Sequence, residues 1–443
     1  MSVGSSPFVP VRARDFQEAS AEPRIRINGG VPLSGELKVS GAKNAVLKLM
    51  AAALLTDQPC VIRNVPRIGD VLNMIDVLEG VGAHCSLEDN VLTIQARHPV
   101  PEVPEGPARQ MRASIQVMGP LLARLGEVRI GQPGGCAIGE RPVDFHLAGL
   151  RAMGAQFKEG HGFLDGTATQ LTGSEIYFDM PSVGATENVM MAAVLSSGET
   201  VIRNAAKEPE IVEAQNFLNC MGARVRGAGT DTIRITGVQG PLRGVDYTVI
   251  PDRIEAGTMM VAVAATGGDV VIQNVIPEHN EILISKLTQA GVGIEVSGEC
   301  VRVFPREKVG ALQIRSLPYP GFPTDMQPQI MALLATADGT SIVTETVYSS
   351  RFKHVDELRR MGADIMLDGR VAVIRGKRRL SGARVEATDL RAGAALVIAG
   401  LAAEGETVVE GVRHIDRGYE DLVAKLSGAG AKVERRCEPL FDE

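Results

Sequence analysis

Six times along the chain a leucine-rich amphipathic stretch runs into a glycine and then into an alternating, strand-like stretch: LEGVGAHCSL, LRAMGAQFKE, LNCMGARVRG, LTQAGVGIEV, LRRMGADIML and LSGAGAKVER. The glycines are Gly82, Gly154, Gly222, Gly291, Gly362 and Gly430, spaced 72, 68, 69, 71 and 68 residues apart. A near-constant period over most of the length means that one supersecondary unit recurs, which leaves few folds open. Glycine after a helix adopts the left-handed C-cap that a Cβ penalises, so each of the six is predicted to close a helix and open a strand. Around the first of them the unit reads as strand ELKVS, the turn Gly41-Ala42-Lys43-Asn44, helix AVLKLMAAALL, strand CVIRNV, helix DVLNMIDVLEGV and a hairpin turning at Asp89-Asn90. The predicted order is β-α-β-α-β-β.

A chain of 443 residues exceeds what one core holds, roughly 250 to 300 residues, so the six units are expected to form two three-unit lobes around a cleft. Tryptophan is absent and only 4% of residues are aromatic, which predicts a core built from aliphatic side chains and alanine. Basic residues number 46 against 53 acidic ones, the reverse of a nucleic-acid binder's balance, so any anion site must be local. The cysteines at 60, 85, 136, 220, 300 and 437 form no Cys-x-x-Cys pair, which speaks against zinc and a disulfide framework and for a reducing compartment. The longest apolar runs, Leu49 to Leu55 and Ala394 to Ala403, are shorter than the roughly 18 residues of a membrane span. Residues 1–24 lack the apolar stretch of a signal peptide and are expected to form a mobile tail.

Strands joined in parallel by helices put every helix start at one end of the sheet, so two loops per unit should share one surface. The first loops carry Lys43-Asn44, Arg112, Ser182-Val183-Gly184, Asp252-Arg253, Asp325 and Asp389-Leu390-Arg391; the second carry Arg67, Arg141, Glu208 and Glu210, His279, Arg351 and Arg417. A helix dipole disfavours a cation at its start unless an anion intervenes, so this set predicts a polyanionic ligand. In the second unit the stretch from strand EVRI to Gly154 is roughly four or five residues longer than its counterparts, the extra length falling in Gln132-Pro-Gly-Gly-Cys136-Ala-Ile-Gly139, which reads as a flexible lid. Cys136, between glycines and near Arg141, is in a setting that favours the thiolate, whereas Cys60, Cys85, Cys220 and Cys300 read as small core hydrophobes. Asp325 stands at a helix start, where spacing alone favours a cap and the shared surface allows a general base. His146 and His414, each alone beside a helix start, read more readily as structural than as catalytic. P-loop, dinucleotide, zinc-protease and hydrolase signatures are all missing.

The stretches SGAKNA, MRAS, PGGCAIGERPVD, SVGAT, EPEIV, PDRIEAGT, FPTDMQ, TDLRA and HIDRGYE together resemble the enolpyruvyl transferases over nearly the whole chain after residue 24. The resemblance implies a two-lobed inside-out α/β barrel of six repeats, residues 25–42 and 251–443 making one lobe and residues 43–250 the other. It also implies transfer of the enolpyruvyl group of phosphoenolpyruvate to the 3-hydroxyl of UDP-N-acetylglucosamine, with release of phosphate, as the first committed step of peptidoglycan synthesis in the cytoplasm. No metal, organic cofactor, nucleic acid, membrane or obligate protein partner is implied. By the same resemblance Cys136 is the proton donor, Asp325 takes or positions the hydroxyl proton, and phosphoenolpyruvate is bound by Lys43, Arg141 and Arg417 on the phosphate side, by Arg351 and Arg391 near the carboxylate, and by Asn44. The sugar nucleotide is assigned to Asn44, Arg112, Arg141, Pro142, Val143, Asp144, Phe145, Ser182, Val183, Gly184, Asp325 and Val347, with His146 adjoining. Met180, Tyr348 and Gln116 depart from the family pattern and put individual nucleotide contacts in question. Two other readings stay open: the sister branch acting on shikimate 3-phosphate, and a paralogue that binds a UDP-sugar without turnover. The lobes are expected to close on the nucleotide, folding the 131–142 loop over the cleft.

Overall fold

The structure is a computed structural model and describes residues 22–131, 143–160, 162–348, 350–377 and 379–437. All six period glycines take the left-handed conformation, with φ between 87° and 101°, and each is the second residue past the end of a helix. At Gly222, φ is 101° and an added Cβ would touch nothing, so Gly222→Ala isolates the backbone term: a loss of about 1 to 2 kcal/mol in urea unfolding is expected. The Asp89-Asn90 hairpin turn is also as read, both residues having positive φ, 43° and 62°.

Each unit contributes to a small sheet; among the described residues five are mixed sheets of four strands and one is an antiparallel sheet of three, Glu127–Gly131, Gln156–Gly160 and Phe163–Thr167. Within the third unit, Glu175–Tyr177 runs parallel to Glu199–Arg203, and the hairpin of Arg224–Arg226 and Thr232–Thr236 adds antiparallel strands beside it. The expected parallel sheet therefore holds only in part: one parallel ladder joins the first two strands, and the returning hairpin strand lies between the second and third. Because that returning strand alone is reversed, the two helices of a unit still start at the same end.

The first helix of each unit is buried nearly all round. In Gln327–Leu334 all eight residues are buried, and in Leu390–Ala402 eleven of thirteen are. Such helices have no solvent face and must sit in the interior. The second helices are amphipathic; Glu281–Gln289 buries only Leu283 and Leu287. The strands alternate, as Thr340–Thr344 does, with one face inward and the other in water. Helices thus occupy the centre and sheets the outside, a two-lobed inside-out α/β barrel.

Two hydrophobic cores result. One gathers residues from Ala42 to Val249; the other combines Ile25 to Val39 with Ile254 to Val433. Alanine, leucine, isoleucine, valine and methionine dominate both, as an aromatic-poor composition requires. The chain passes between the two regions at 40–42 and at 250–252. There Gly41 bridges Pro251, the Ala42 amide donates to the Ile250 carbonyl at 2.8 Å, and the Asp252 amide donates to the Ser40 carbonyl at 2.9 Å. A Cβ on Gly41 would lie 1.8 Å from the Asn64 carbonyl oxygen, so only glycine lets this crossing pass so close to the end of strand Cys60–Arg63.

Asparagine has a repeated role that the sequence reading did not single out. Asn64, Asn204 and Asn274 end equivalent strands with φ of 57°, 53° and 57°. Each side-chain amide donates to the carbonyl of a residue following the neighbouring parallel strand, Val249 at 2.9 Å, Phe178 at 2.7 Å and Val39 at 2.7 Å. Asparagine tolerates the left-handed region and supplies the donor that locks the strand ends together.

Two expectations need correction. Strand Pro23–Asn28 begins inside the stretch assigned to the tail, because it is paired on both edges, with Glu406–Val409 and with Lys432–Cys437. Cys220 is exposed rather than a core hydrophobe, since it ends its helix, and Cys85 and Cys300 are half-buried on their strands. Cys60 is fully buried as read, and burial pushes its thiol up to about 11. Among the described residues no helix is long and apolar enough to cross a membrane.

Candidate functional site

The first helices start at Lys43, Val183, Arg253 and Leu390, and in 3-10 turns opening at Arg112 and Thr324. The predicted first loops are therefore the real helix starts. Three are capped by side chains: Ser182 accepts from the Ala185 amide, Asp252 from Ile254 and Glu255, and Asp389 from Arg391 and Ala392. Asp252 also accepts from the Lys43 amide at 3.0 Å, so one carboxylate fixes the starts of two helices, one in each core region.

The cations expected to meet a ligand are held by carboxylates of the chain itself. Lys43 Nζ lies 2.9 Å from Asp70 Oδ2, and Arg417 Nε lies 2.8 Å from Asp70 Oδ1. Burial alone would raise the Asp70 carboxyl, but Lys43 and Arg417 outweigh it and hold it below the usual carboxylate range. Glycine makes room here too: a Cβ on Gly418 would come within 3.0 Å of Lys43 Cδ.

A second carboxylate repeats the arrangement. Asp325 Oδ1 is 2.8 Å from Arg351 Nη2, and its Oδ2 is 3.2 Å from Arg391 Nη2. Spacing alone favoured a helix cap for Asp325; instead Pro323 and Met326 occupy the cap positions and the Asp325 oxygens face the two arginines. Arg351 Nη1 also donates to Thr324 Oγ1 at 3.0 Å, and that hydroxyl donates to the buried Glu345 at 2.9 Å. Glu345 in turn accepts from the Val347 amide at 2.7 Å and the Tyr348 amide at 3.1 Å, which places Val347 beside this group. Arg391 lies 5.4 Å from the Tyr419 ring centre, and the Tyr419 hydroxyl is bonded to Thr258 at 2.9 Å.

A third pair spans the two core regions: Arg253 grips Glu210 with Nε–Oε1 at 3.0 Å and Nη2–Oε2 at 3.3 Å. Tyr319 stacks on that arginine at 5.5 Å. Nearby, Glu187 is fully buried on helix Val183–Ala193, with neither oxygen hydrogen-bonded among the described residues and Lys48 Nζ 3.5 Å away. Burial, only partly offset by Lys48, pushes its carboxyl from 4.5 to about 8. A raised carboxyl stabilises the fold below its unfolded value and loses that contribution as pH climbs through the folded value. Stability measured by urea unfolding is therefore expected to fall more steeply between about pH 5 and about 8 in the wild type than in Glu187→Gln.

The remaining predicted residues fall as follows. Asn44 and Arg112 are half-buried at their helix starts, and the Asn44 carbonyl accepts from Lys48. Val143 and Phe145 are half-buried and Asp144 exposed at the start of helix Asp144–Ala152, with Phe145 edge-on to Phe178 at 5.9 Å. Ser182, Val183 and Gly184 sit half-buried opposite them; the Gly184 carbonyl accepts from Gln116 at 3.1 Å, and a Cβ there would come within 3.1 Å of His146. His146 is buried and bonded to Asn188 at 3.0 Å, and burial drops its imidazole to about 3, the profile of a structural histidine. Met180 is exposed. Arg67 is exposed, its amide donating to Glu420 at 2.7 Å, while burial lowers His279 and His414. Cys136, Arg141 and Pro142, with the 132–142 loop, lie outside the described residues.

Asp70 is the site residue that sequence reasoning missed. Its signal was an acid in the first turn of helix Gly69–Gly80, which looks like ordinary dipole compensation.

Six helix-in, sheet-out units with paired cations at their common end define a class, the enolpyruvyl transferases. The chain belongs to that family: the family model described as EPSP synthase (3-phosphoshikimate 1-carboxyvinyltransferase) matches residues 27–426. Among curated proteins it is 56% identical to UDP-N-acetylglucosamine 1-carboxyvinyltransferase 1 of Carboxydothermus hydrogenoformans over 411 residues, 92% of this chain and 97% of that protein. It is 53% identical to the protein of that same name from Caldanaerobacter subterraneus subsp. tengcongensis, over 91% of this chain and 97% of the relative. Among solved structures it is similar to the enolpyruvyl transferase NikO from Streptomyces tendae, with a TM-score of 0.85, 26% identity, and coverage of 95% of this chain and 100% of that one. EPSP synthase from Acinetobacter baumannii shares the fold, with a TM-score of 0.74 at 20% identity over 94% of this chain and 100% of the other.

Proposed function

We propose that the chain transfers the enolpyruvyl group of phosphoenolpyruvate to the 3-hydroxyl of UDP-N-acetylglucosamine and releases phosphate, in the cytoplasm, as an early step of peptidoglycan synthesis. The observation that carries this reading is the identity of more than half over nearly the full length to relatives of that name, set on a site with two separate cation pairs. Phosphoenolpyruvate has two anionic ends, and desolvating both takes guanidinium and ammonium partners at two places. Lys43 and Arg417, joined by Arg141, are assigned to the phosphate; Arg351 and Arg391 are assigned to the carboxylate. The nucleotide is assigned to Arg112, residues 143–145 and residues 182–184, where the start of helix Val183–Ala193 turns backbone amides toward a diphosphate.

In the addition step the sugar oxygen bonds to C2 of phosphoenolpyruvate while its proton passes to Asp325. The π pair moves to C3, which takes a proton from the Cys136 thiol. Elimination reverses the proton movements at C3 and expels phosphate, whose growing charge Lys43 and Arg417 neutralise. The two lobes, residues 25–42 with 251–443 and residues 43–250, are proposed to close over the substrates and exclude water.

Phosphate release should appear when phosphoenolpyruvate and UDP-N-acetylglucosamine are mixed with the protein, and should be lost in Cys136→Ala. Release driven by shikimate 3-phosphate instead would assign the chain to the sister activity. Calorimetric binding of the UDP-sugar with no turnover would mark it as a binding protein.

A further inference from the structure

The two carboxylates that hold the cation pairs are not equivalent. The Asp70 side chain is 2% exposed and lies beneath Lys43 and Arg417, so a phosphate can join that group but cannot replace its acid. Asp325 is reversed in position: its side chain is 26% exposed, whereas those of Arg351 and Arg391 beneath it are each 3% exposed. Each Asp325 oxygen meets a different guanidinium, at 2.8 and 3.2 Å, which is how a ligand carboxylate bridges two arginines. Both arginines are fixed from behind, Arg351 by Thr324 and the Tyr348 ring and Arg391 by the Tyr419 ring. The backbone of Asp325 is also pinned, its carbonyl accepting from Gln329 Nε2 at 2.9 Å. The exposed member of the group is the Asp325 side chain.

We propose that Asp325 is an internal stand-in for the substrate's carboxylate: phosphoenolpyruvate displaces it from Arg351 and Arg391, and the displaced carboxylate is the form that accepts the sugar hydroxyl's proton. This rests on the reading of the site given above. A carboxylate neutralised by two guanidinium groups is a poor proton acceptor, and one that has surrendered them to another anion is a better one. Arrival of one substrate thus switches on the base needed by the other. The sugar hydroxyl is not deprotonated while the electrophile is absent.

The test is calorimetric binding of phosphoenolpyruvate alone to the wild type and to Asp325→Asn, which keeps the shape and removes the competing charge. The variant is expected to bind about three- to tenfold more tightly, the range set by competition with a partly exposed ion pair, while turnover with UDP-N-acetylglucosamine is lost. Equal or weaker binding by a variant that melts like the wild type overturns the proposal, as does absence of binding to both. Asp325→Ser, smaller and also uncharged, makes the same comparison if the asparagine form does not fold. Wild-type protein that releases no phosphate with UDP-N-acetylglucosamine would overturn the functional reading instead, and the binding comparison would still decide the displacement.

Discussion

Arg253→Ala should lower the unfolding free energy by about 3 to 5 kcal/mol, one of the largest stability losses available from a single charged side chain. The Arg253 side chain is only 10% exposed and its guanidinium is bidentate on Glu210, which is buried at the start of helix Pro209–Cys220. Burial would raise the Glu210 carboxyl, and Arg253 holds it below its ordinary range. Without the arginine the carboxylate keeps its desolvation cost and loses its counter-charge. Because the two residues sit on segments that supply different hydrophobic cores, beside Ile211 of one and Ile254 of the other, the variant should also unfold less cooperatively. Urea unfolding followed by two probes checks both points, and Arg253→Ala/Glu210→Leu should recover part of the loss, since an apolar pair needs no counter-charge.

Lys43→Ala should reduce kcat/KM by about a hundred- to a thousandfold, the scale on which a single preorganised charge at a reacting oxyanion is felt. The ammonium is anchored to Asp70 Oδ2 at 2.9 Å, and Arg417 grips the same acid through Oδ1 at 2.8 Å. Its loss leaves the phosphate assigned to this group with fewer partners and takes the positive charge of the Lys43–Asp70–Arg417 cluster away, since Arg417 alone then balances Asp70. Steady-state phosphate release checks this, and the fall should appear in kcat as well as in KM, because the departing phosphate gains charge as its bond breaks. A change confined to KM would place Lys43 in binding alone.

What could be read from the sequence was what local chemistry determines. Gly82 and its five counterparts announced helix ends because only glycine sits comfortably at those φ values, and Asp89-Asn90 announced a hairpin for the same reason. The helix starts carrying Lys43, Ser182, Asp252 and Asp389 were legible through the period. Strand partnership was not: Ser34–Lys38 pairs with Asp269–Gln273, and Asp246–Thr248 with Cys60–Arg63, across distances at which no spacing rule operates. The same limit applied to charge. The cations of the site were visible as misplaced basic residues, but their partners were not, since Asp70 and Asp325 read in isolation as ordinary helix-start acids. Only the fold shows that each bridges cations from two different segments.

The pairing of strand Pro23–Asn28 has a consequence for how the polypeptide is made. Its neighbours are Glu406–Glu410 and Lys432–Cys437, nearly four hundred residues later. Ser34–Lys38 likewise waits for Asp269–Gln273. Residues 42–249 hold a hydrophobic core drawn entirely from within that span, so during synthesis the middle of the chain can collapse while its beginning is still an unpaired β-segment. Lys432–Cys437, the last of the described strands to emerge from the ribosome, covers one edge of Pro23–Asn28, the first of them, and loop closure over that distance is expected to slow the final stage of folding. Nascent chains stopped before residue 400 should therefore expose an aggregation-prone edge that the finished protein hides.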